Sequence, residues 1–392
     1  MCKRSAAITI SATLFSGFYA ASTCSLETKY TYTGVKALTH FAQSVDASLK
    51  INLDANRFNG IYDNVQQDDY TYDSQLRRAR LTFKVPIIKN WSSKLGVAIN
   101  EGDDTYEIKD LYLRYRGFDI ADIKVGKFKE PFGLENLTSS ANHLFTERSL
   151  STLAIGRNKG ISLSKANSKY SWNVGAYDIQ KNGKVKAGGN KAYTARATFS
   201  PTNTIANYHH IGLAYSKRDL QGAEYEIKTN GGVDNAINFV DTKNIATDTI
   251  EKYGLELAWV RGPLSLQSEL QRLQLNATNA LENATYEGYY GQLSYFLTND
   301  YRPYKKGRFS KVKPSSAKGS WEVTLRKGNL KSVDIGIENN NSDIRVASTV
   351  LGLNYYHNRN LKFMLNSIDT KTIGLENGNT GSALSLRVQI RI

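Results

Sequence analysis

From Ser44 to Ile392 apolar and polar side chains trade places at almost every step, over runs of about ten residues. The last run is the clearest: Leu384, Leu386, Val388, Ile390 and Ile392 share one face, and Ser385, Arg387, Gln389 and Arg391 share the other. Side chains along a strand alternate faces, so this segment is oily on one side and cationic on the other. About sixteen such runs follow one another. The first eight are 45–57, 75–85, 91–100, 107–117, 121–129, 159–166, 170–178 and 192–200. The second eight are 207–217, 252–261, 263–275, 285–297, 320–329, 346–356, 361–369 and 382–392. A tilted strand needs roughly nine to eleven residues to cross a bilayer, and each run is close to that.

The connections alternate too. Short ones (86–90, 117–121, 166–169, 201–206, Gly262, 357–360) take turns with long ones (58–74, 130–158, 179–191, 218–251, 330–345, 370–381). Short periplasmic turns and longer external loops are the pattern of a bacterial outer-membrane barrel. The pattern therefore predicts an all-β protein, a transmembrane antiparallel β-barrel of about 16 strands. Pro86, Pro131, Pro201, Pro263, Pro303 and Pro314 each fall at the end of a run or in a connection, where the missing N–H costs no ladder bond. One connection breaks the alternation: 298–319 is periplasmic by parity yet long and basic, so it is either a folded-in turn or the sign of a miscounted strand.

Composition sharpens this picture. No stretch reaches the roughly 18 apolar residues of a membrane helix, which leaves strands as the crossing element. With 24 Tyr and 4 Trp the chain is rich in the side chains that settle at a membrane interface. The N-terminus supplies a compartment: Met1-Cys2-Lys3-Arg4 is basic, Ala6–Ala21 weakly apolar and Ala20-Ala21-Ser22 small, the make-up of a secretory leader. This predicts a signal peptide at 1–23, an N-terminal arm at 24–44 and a barrel domain at 45–392. Both cysteines, Cys2 and Cys24, lie in or beside the leader, so the exported chain is not a disulfide-stapled module. The formal net charge of +15 suits nucleic acid, a membrane surface or small anions, and export argues against nucleic acid.

Sorting the runs by phase assigns a polar lumen. Arg78, Arg80 and Lys84 oppose Ala79, Leu81, Phe83 and Val85, and Arg114 and Arg116 share a face with Asp110 and Tyr112. Arg196, Arg326 and Arg387 fall on the polar faces of later runs. A guanidinium stays charged and offers an oxyanion a planar fork, so a series of them can replace part of an anion's hydration shell along a channel. Asp54, Asp110, Glu256, Glu269 and Glu322 lie on the same faces, so pairing that merely keeps the lumen wet and ordered is the alternative for any single arginine. The loop cluster Lys181, Lys184, Lys186 and Lys191 is either an electrostatic funnel or a solvated surface. Asp68-Asp69 and Asp103-Asp104 are weak calcium candidates at most, and no metal site is expected. His40, His143, His209, His210 and His357 are scattered, and no H-E-x-x-H, G-x-S-x-G or phosphate-binding loop occurs, so an enzyme is not expected.

Gly126-Lys127-Phe128-Lys129-Glu130-Pro131-Phe132-Gly133-Leu134-Glu135-Asn136-Leu137-Thr138-Ser139-Ser140 resembles the phosphate-selective porin O and P family. Arg77-Arg78-Ala79-Arg80-Leu81, Phe145-Thr146-Glu147-Arg148-Ser149-Leu150 and Thr298-Asn299-Asp300-Tyr301-Arg302-Pro303-Tyr304 add to the likeness. So do Gly319-Ser320-Trp321-Glu322 and Leu351-Gly352-Leu353-Asn354-Tyr355-Tyr356, and the whole spans about residues 45 to 392. The resemblance implies an outer-membrane porin, a homotrimer in outer-membrane lipid, passing small anions such as phosphate or polyphosphate with no cofactor. It implies that the loop 130–158, carrying Arg148 and Arg157, folds into the lumen as a constriction; the alternative is an external loop over the mouth. Lys127 and Lys129, at the strand end before it, and Lys311 and Lys313, in the basic connection, join the expected anion pathway. Three rivals stand: a general porin with little ion preference, an outer-membrane barrel enzyme such as a lipase, and a secreted soluble β-protein that binds polyanions.

Overall fold

In a computed structural model the alternating runs close into a cylinder. It describes residues 45–63, 70–100, 105–179, 190–238, 240–242, 244–335, 344–374 and 380–392. The expected leader and arm, Asp68-Asp69, Asp103-Asp104, His40 and Lys181, Lys184 and Lys186 lie outside these residues.

The strands are β1 (Asp46–Phe58), β2 (Thr71–Ile88), β3 (Trp91–Asn100), β4 (Thr105–Tyr115), β5 (Asp122–Lys129) and β6 (Arg157–Ala166). Next come β7 (Tyr170–Asp178), β8 (Lys191–Phe199), β9 (Asn207–Tyr225), β10 (Lys228–Thr229), β11 (Val240–Asp241) and β12 (Ile245–Arg261). The last are β13 (Leu264–Ala277), β14 (Ala284–Phe296), β15 (Ser320–Ile335), β16 (Arg345–Tyr356), β17 (Leu361–Ile373) and β18 (Thr380–Arg391). All pair antiparallel with their barrel neighbours, β1 pairs with both β2 and β18, and β10 and β11 form a separate ribbon. Closure leaves no strand edge, which is the condition for a sheet in hydrocarbon. At the seam the backbones of Leu49 and Ile392 exchange two bonds, 2.9 and 3.0 Å long.

The phase inferred for β18 holds: Leu384 and Leu386 are exposed on the outer wall, while Ser385, Arg387 and Gln389 are buried inside. Aromatic side chains gather at the short-turn end. Trp91 packs on Tyr115 and Tyr115 on Phe118, with ring centres 4.9 and 5.1 Å apart, and Trp321 stacks on Tyr355 at 4.5 Å. They form an interfacial belt at that rim.

Two expectations change and one left open is resolved. The connection assigned to 218–251 is mostly strand, because β9 and β12 stay paired out to Tyr225 and Ile245. That extension is stabilised by an apolar cluster of Leu220, Ile227, Ile245, Ile250, Leu273 and Leu275 under Leu153. Pro86 lies inside β2, at an irregularity between Pro86 and Ile88 where no ladder donor is needed. The connection 298–319 is a folded-in turn, and the strand count stands.

Candidate functional site: the lumen and its constriction

Among the described residues the connections 130–156, 226–244 and 297–319 turn into the barrel. The largest, 130–156, joins β5 to β6. Its entry is fixed by Glu130, fully buried, which accepts bonds from Asn158 Nδ2 (2.5 Å), Thr194 Oγ1 (2.6 Å) and Arg218 Nη1 (3.0 Å). Phe132 then lies over Gly254, where a Cβ would stand 3.3 Å from its ring. Gly133 turns the chain with φ +79°, a conformation that suits glycine. A one-turn helix, α1 (Leu134–Leu137), follows, and the Leu134 and Glu135 N–H groups donate to the Glu269 carboxylate of β13 at 2.9 and 2.6 Å.

Beyond the helix the wall, together with Arg302 of the connection 297–319, grips the loop by its backbone. Gln389 donates to the carbonyl of Ala141 (3.1 Å), Arg302 to Asn142 (2.7 Å), Lys362 to His143 (2.9 Å), Asn354 to Leu144 (3.0 Å) and Arg326 to Glu147 (2.9 Å). A loop folded into a barrel must find partners for its peptide groups, and these side chains supply them. The loop is thus internal and does not lie over the mouth. His143 is held neutral by burial and by the charges of Arg148 and Lys129, and its Nε2 faces the carbonyls of Glu135 and Thr138, so Nε2 carries the proton.

The second inward connection is 226–244. Val233 joins the apolar cluster of Phe58, Tyr62, Leu144 and Phe145, and Asp234 pairs with Arg77 at 2.6 Å. The third, 297–319, enters from the periplasmic end. Tyr304 stacks on Tyr208 with ring centres 4.5 Å apart and its hydroxyl meets His210 Nδ1 at 2.6 Å. Gly307 accepts a bond from Arg196 at 2.9 Å.

The expected pathway residues fall into separate groups. Arg196, Arg326 and Arg387 point inward but are engaged in structure. Arg196 forms two bonds to Glu256 (2.8 and 2.5 Å), Arg326 lies 3.5 Å from Glu135 and over the Phe145 ring, and Arg387 clamps Asp54 and Glu147. Arg78, Arg80 and Arg148 make no ion pair among the described residues, and Arg80 and Arg148 keep Nε without a partner. They share one electrostatic field with their neighbours: Lys50 feels Arg78, Arg80, Arg391 and Arg148, and Lys129 feels Arg148, Arg157 and Arg80. Lys129 donates to the Asn136 carbonyl (2.6 Å) and Arg157 to Asp110 (2.9 Å), so both border this group with one hand occupied. Burial lowers the Arg148 guanidinium from its usual range, and Glu135 and Glu147 oppose that.

Other expected residues are elsewhere. Arg114 pairs with Asp122 beside the short turn, and Arg116, more exposed, lies 4.0 Å from the same carboxylate, so both belong to the periplasmic end. Lys311 reaches Asn360 at 3.4 Å and Lys313 is exposed near it, again at that end. Lys127 is corrected by register: it pairs with Leu111 and Lys159 on the outward phase of β5, away from the loop.

Sequence reasoning missed Lys50 and Arg77. Lys50 shares the inward phase of Asn52 and Asp54, a signal that was there to find, and its ammonium lies 2.8 Å from Ser140 Oγ. Arg77 has no such signal. Asn52 pairs with Arg78 but Asp54 with Gln75, so a bulge opposite Leu53 turns the consecutive Arg77 and Arg78 to the same side. Among the described residues no group of three His, Cys, Asp or Glu is placed to hold a metal.

A family model described as phosphate-selective porin O and P matches residues 45–392. The chain belongs to that family. It is an outer-membrane porin, a channel and not an enzyme. Among this porin's relatives, Porin O of Pseudomonas aeruginosa is 28% identical over 371 residues, covering 84% of this chain and 83% of that protein. Among solved structures, an anion-selective porin from Comamonas acidovorans aligns with a TM-score of 0.57 at 13% identity, over 89% of this porin and 99% of that chain. The outer membrane channel DcaP of Acinetobacter baumannii aligns with a TM-score of 0.58 at 13% identity, over 89% and 97%. At such identities these two likenesses speak for the fold.

Proposed function

We propose that this porin passes small oxyanions, phosphate or polyphosphate among them, by passive diffusion through the gap between the loop 130–156 and the wall of β1–β6. The observation that carries this reading is the group of guanidinium side chains Arg78, Arg80 and Arg148, which make no ion pair among the described residues, with Lys50 and Lys129 beside them. Cations left without carboxylate partners in a narrow lumen favour anions, and several weak stations let the solute leave again. The same reading makes Arg114 and Arg116 and the basic exit at Lys311 and Lys313 a lower stretch of the path. The family likeness extends it to a homotrimer, and the basic, weakly apolar N-terminal residues extend it to a leader at 1–23 removed on export and an arm at 24–44 ahead of the barrel.

A general porin with little ion preference is the second reading, favoured by the many arginines already neutralised, such as Arg196 by Glu256 and Arg218 by Glu130. Single-channel reversal potentials in chloride and phosphate gradients separate the two. Anion preference, with phosphate reducing the chloride current at millimolar levels, supports the first; a ratio near unity or cation preference overturns it.

A further inference from the structure

On its outer wall, over β4 to β8, the barrel carries a groove of about 760 Å³. Its sides are the outward-facing Leu111, Leu113, Val125, Ile161 and Tyr193. Its floor is small, with Gly126, Gly160 and Ala176. A single register row, Lys127 to Lys159 to Asp178 to Lys191, crosses the head of the groove. All four belong to the outward phase and sit where β5 to β8 meet the long loops, which by the pattern of short periplasmic turns and long outer loops is the extracellular end of the wall.

A lipid-facing lysine is costly at the bilayer midplane and tolerable only near the headgroups. Three lysines against Asp178, and against Asp219 where the row runs on to β9 opposite Lys191, leave it one charge positive in the plane where outer-leaflet phosphates lie. Their charges are scarcely used by the protein: Lys127 reaches only Glu107, at 3.9 Å, and Lys159 and Lys191 make no ion pair among the described residues. Below them the groove offers the hydrocarbon-lined depth that an acyl chain fills. Cationic head and apolar trough, in that order from the surface inward, match one amphiphile.

We propose that this groove binds a phosphorylated glycolipid of the outer leaflet, with an acyl chain along Leu111, Leu113, Val125 and Ile161 and its phosphate on Lys127, Lys159 and Lys191. The charge pattern commits the site to an anionic lipid, since a neutral lipid would use the trough and leave the lysines idle. The site faces away from the lumen, so lipid capture and ion passage are separable.

The test is native mass spectrometry of the detergent-purified porin titrated with bis-phosphorylated lipid A and with its enzymatically dephosphorylated form. Wild type is expected to retain the phosphorylated lipid and release the other. The K159E/K191E pair should bind it about tenfold more weakly. Ala176→Trp, which fills the floor without touching charge, should also lose it. Both should keep wild-type reversal potentials, and heat-modifiable gel migration reports that each has folded; K159Q/K191Q serves if the double reversal does not fold. Equal retention of the two lipids, or unchanged binding in both variants, overturns the proposal. So does a variant that changes the oligomeric state with lipid retention intact, because the groove would then belong to a contact between copies.

Discussion

Arg387 on the last strand holds Asp54 on the first through two hydrogen bonds of 2.6 and 2.5 Å, and the same guanidinium reaches Glu147 of the inward loop at 2.9 Å. One side chain therefore joins the barrel seam to the constriction. It also donates to the Thr146 carbonyl. Arginine is the fitting residue, since a planar fork can serve several acceptors at once without losing its charge.

Removing that clamp should be felt in two places. Arg387→Ala strands Asp54 and frees one side of Glu147, and breaking a buried pair costs about 3 kcal/mol or more. The temperature at which the folded band is lost on a gel should fall, and single-channel current should become noisier as the loop loosens. Wild-type values on both counts would show that the seam does not depend on this contact. The double change D54N/R387Q, which leaves no orphaned charge, should recover part of the stability.

Glu147 sets a pH limit on the loop. Burial by itself would raise its carboxyl, but the charges of Arg387 and Arg77 outweigh burial and hold it at about 2, against an ordinary 4.5. A carboxylate depressed on folding contributes its stability above pH 4.5 and loses it as pH falls from there towards 2. Stability in urea and anion selectivity should be flat from neutral pH down to about 5 and decline below that, and Glu147→Gln should flatten the acid limb. An acid limb of equal slope in the variant would assign the decline to other carboxylates.

Arg148 and Arg157 should behave differently although both lie at the constriction. Arg148 has no ion-pair partner among the described residues, whereas Arg157 is bound to Asp110, which also takes Lys94 at 2.9 Å. Arg148→Glu is expected to cut the anion-to-cation permeability ratio severalfold, and Arg157→Glu to cost more in stability because it faces Asp110 with a like charge. Reversal potentials and urea midpoints for the two variants check the contrast. Unchanged ratios in both would remove the loop from selectivity.

The periplasmic turn is held by a chain of polar contacts. Glu256 accepts from Arg196 and from His210 Nε2 (3.0 Å), and His210 Nδ1 meets the Tyr304 hydroxyl. Tyr304→Phe should cost about 1 kcal/mol, the worth of one hydrogen bond. Tyr304→Ala also loses the stack on Tyr208 and should raise conductance by loosening 297–319. Protease cutting within 297–319, added from the periplasmic side of oriented vesicles, is the readout; equal resistance in all three proteins would argue against the latch.

The fold was legible because its signal is local and repetitive. Leu384 to Ile392 announces a strand with one oily face from its own residues, and fifteen other runs do the same, so strand count, phase and short-turn positions follow from period-two alternation. The same logic recovered the inward direction of Arg78, Arg80, Arg196, Arg326 and Arg387. It failed at Arg77, where a bulge changes the phase without any mark in the sequence, and at Lys127, whose neighbours near Gly126 left its direction ambiguous until the register resolved it. What no local pattern carries is partnership. Whether an inward arginine meets a solute or a carboxylate depends on strands far apart in the chain: Glu256 lies 60 residues from Arg196, and Asp54 lies 333 from Arg387. The sequence by itself determined a barrel with an apolar exterior and a cationic interior. Only the tertiary structure decided which cations remain free, because closing the cylinder and folding connections into it brings the neutralising acids within reach of some arginines and leaves Arg78, Arg80 and Arg148 without an ion pair among the described residues.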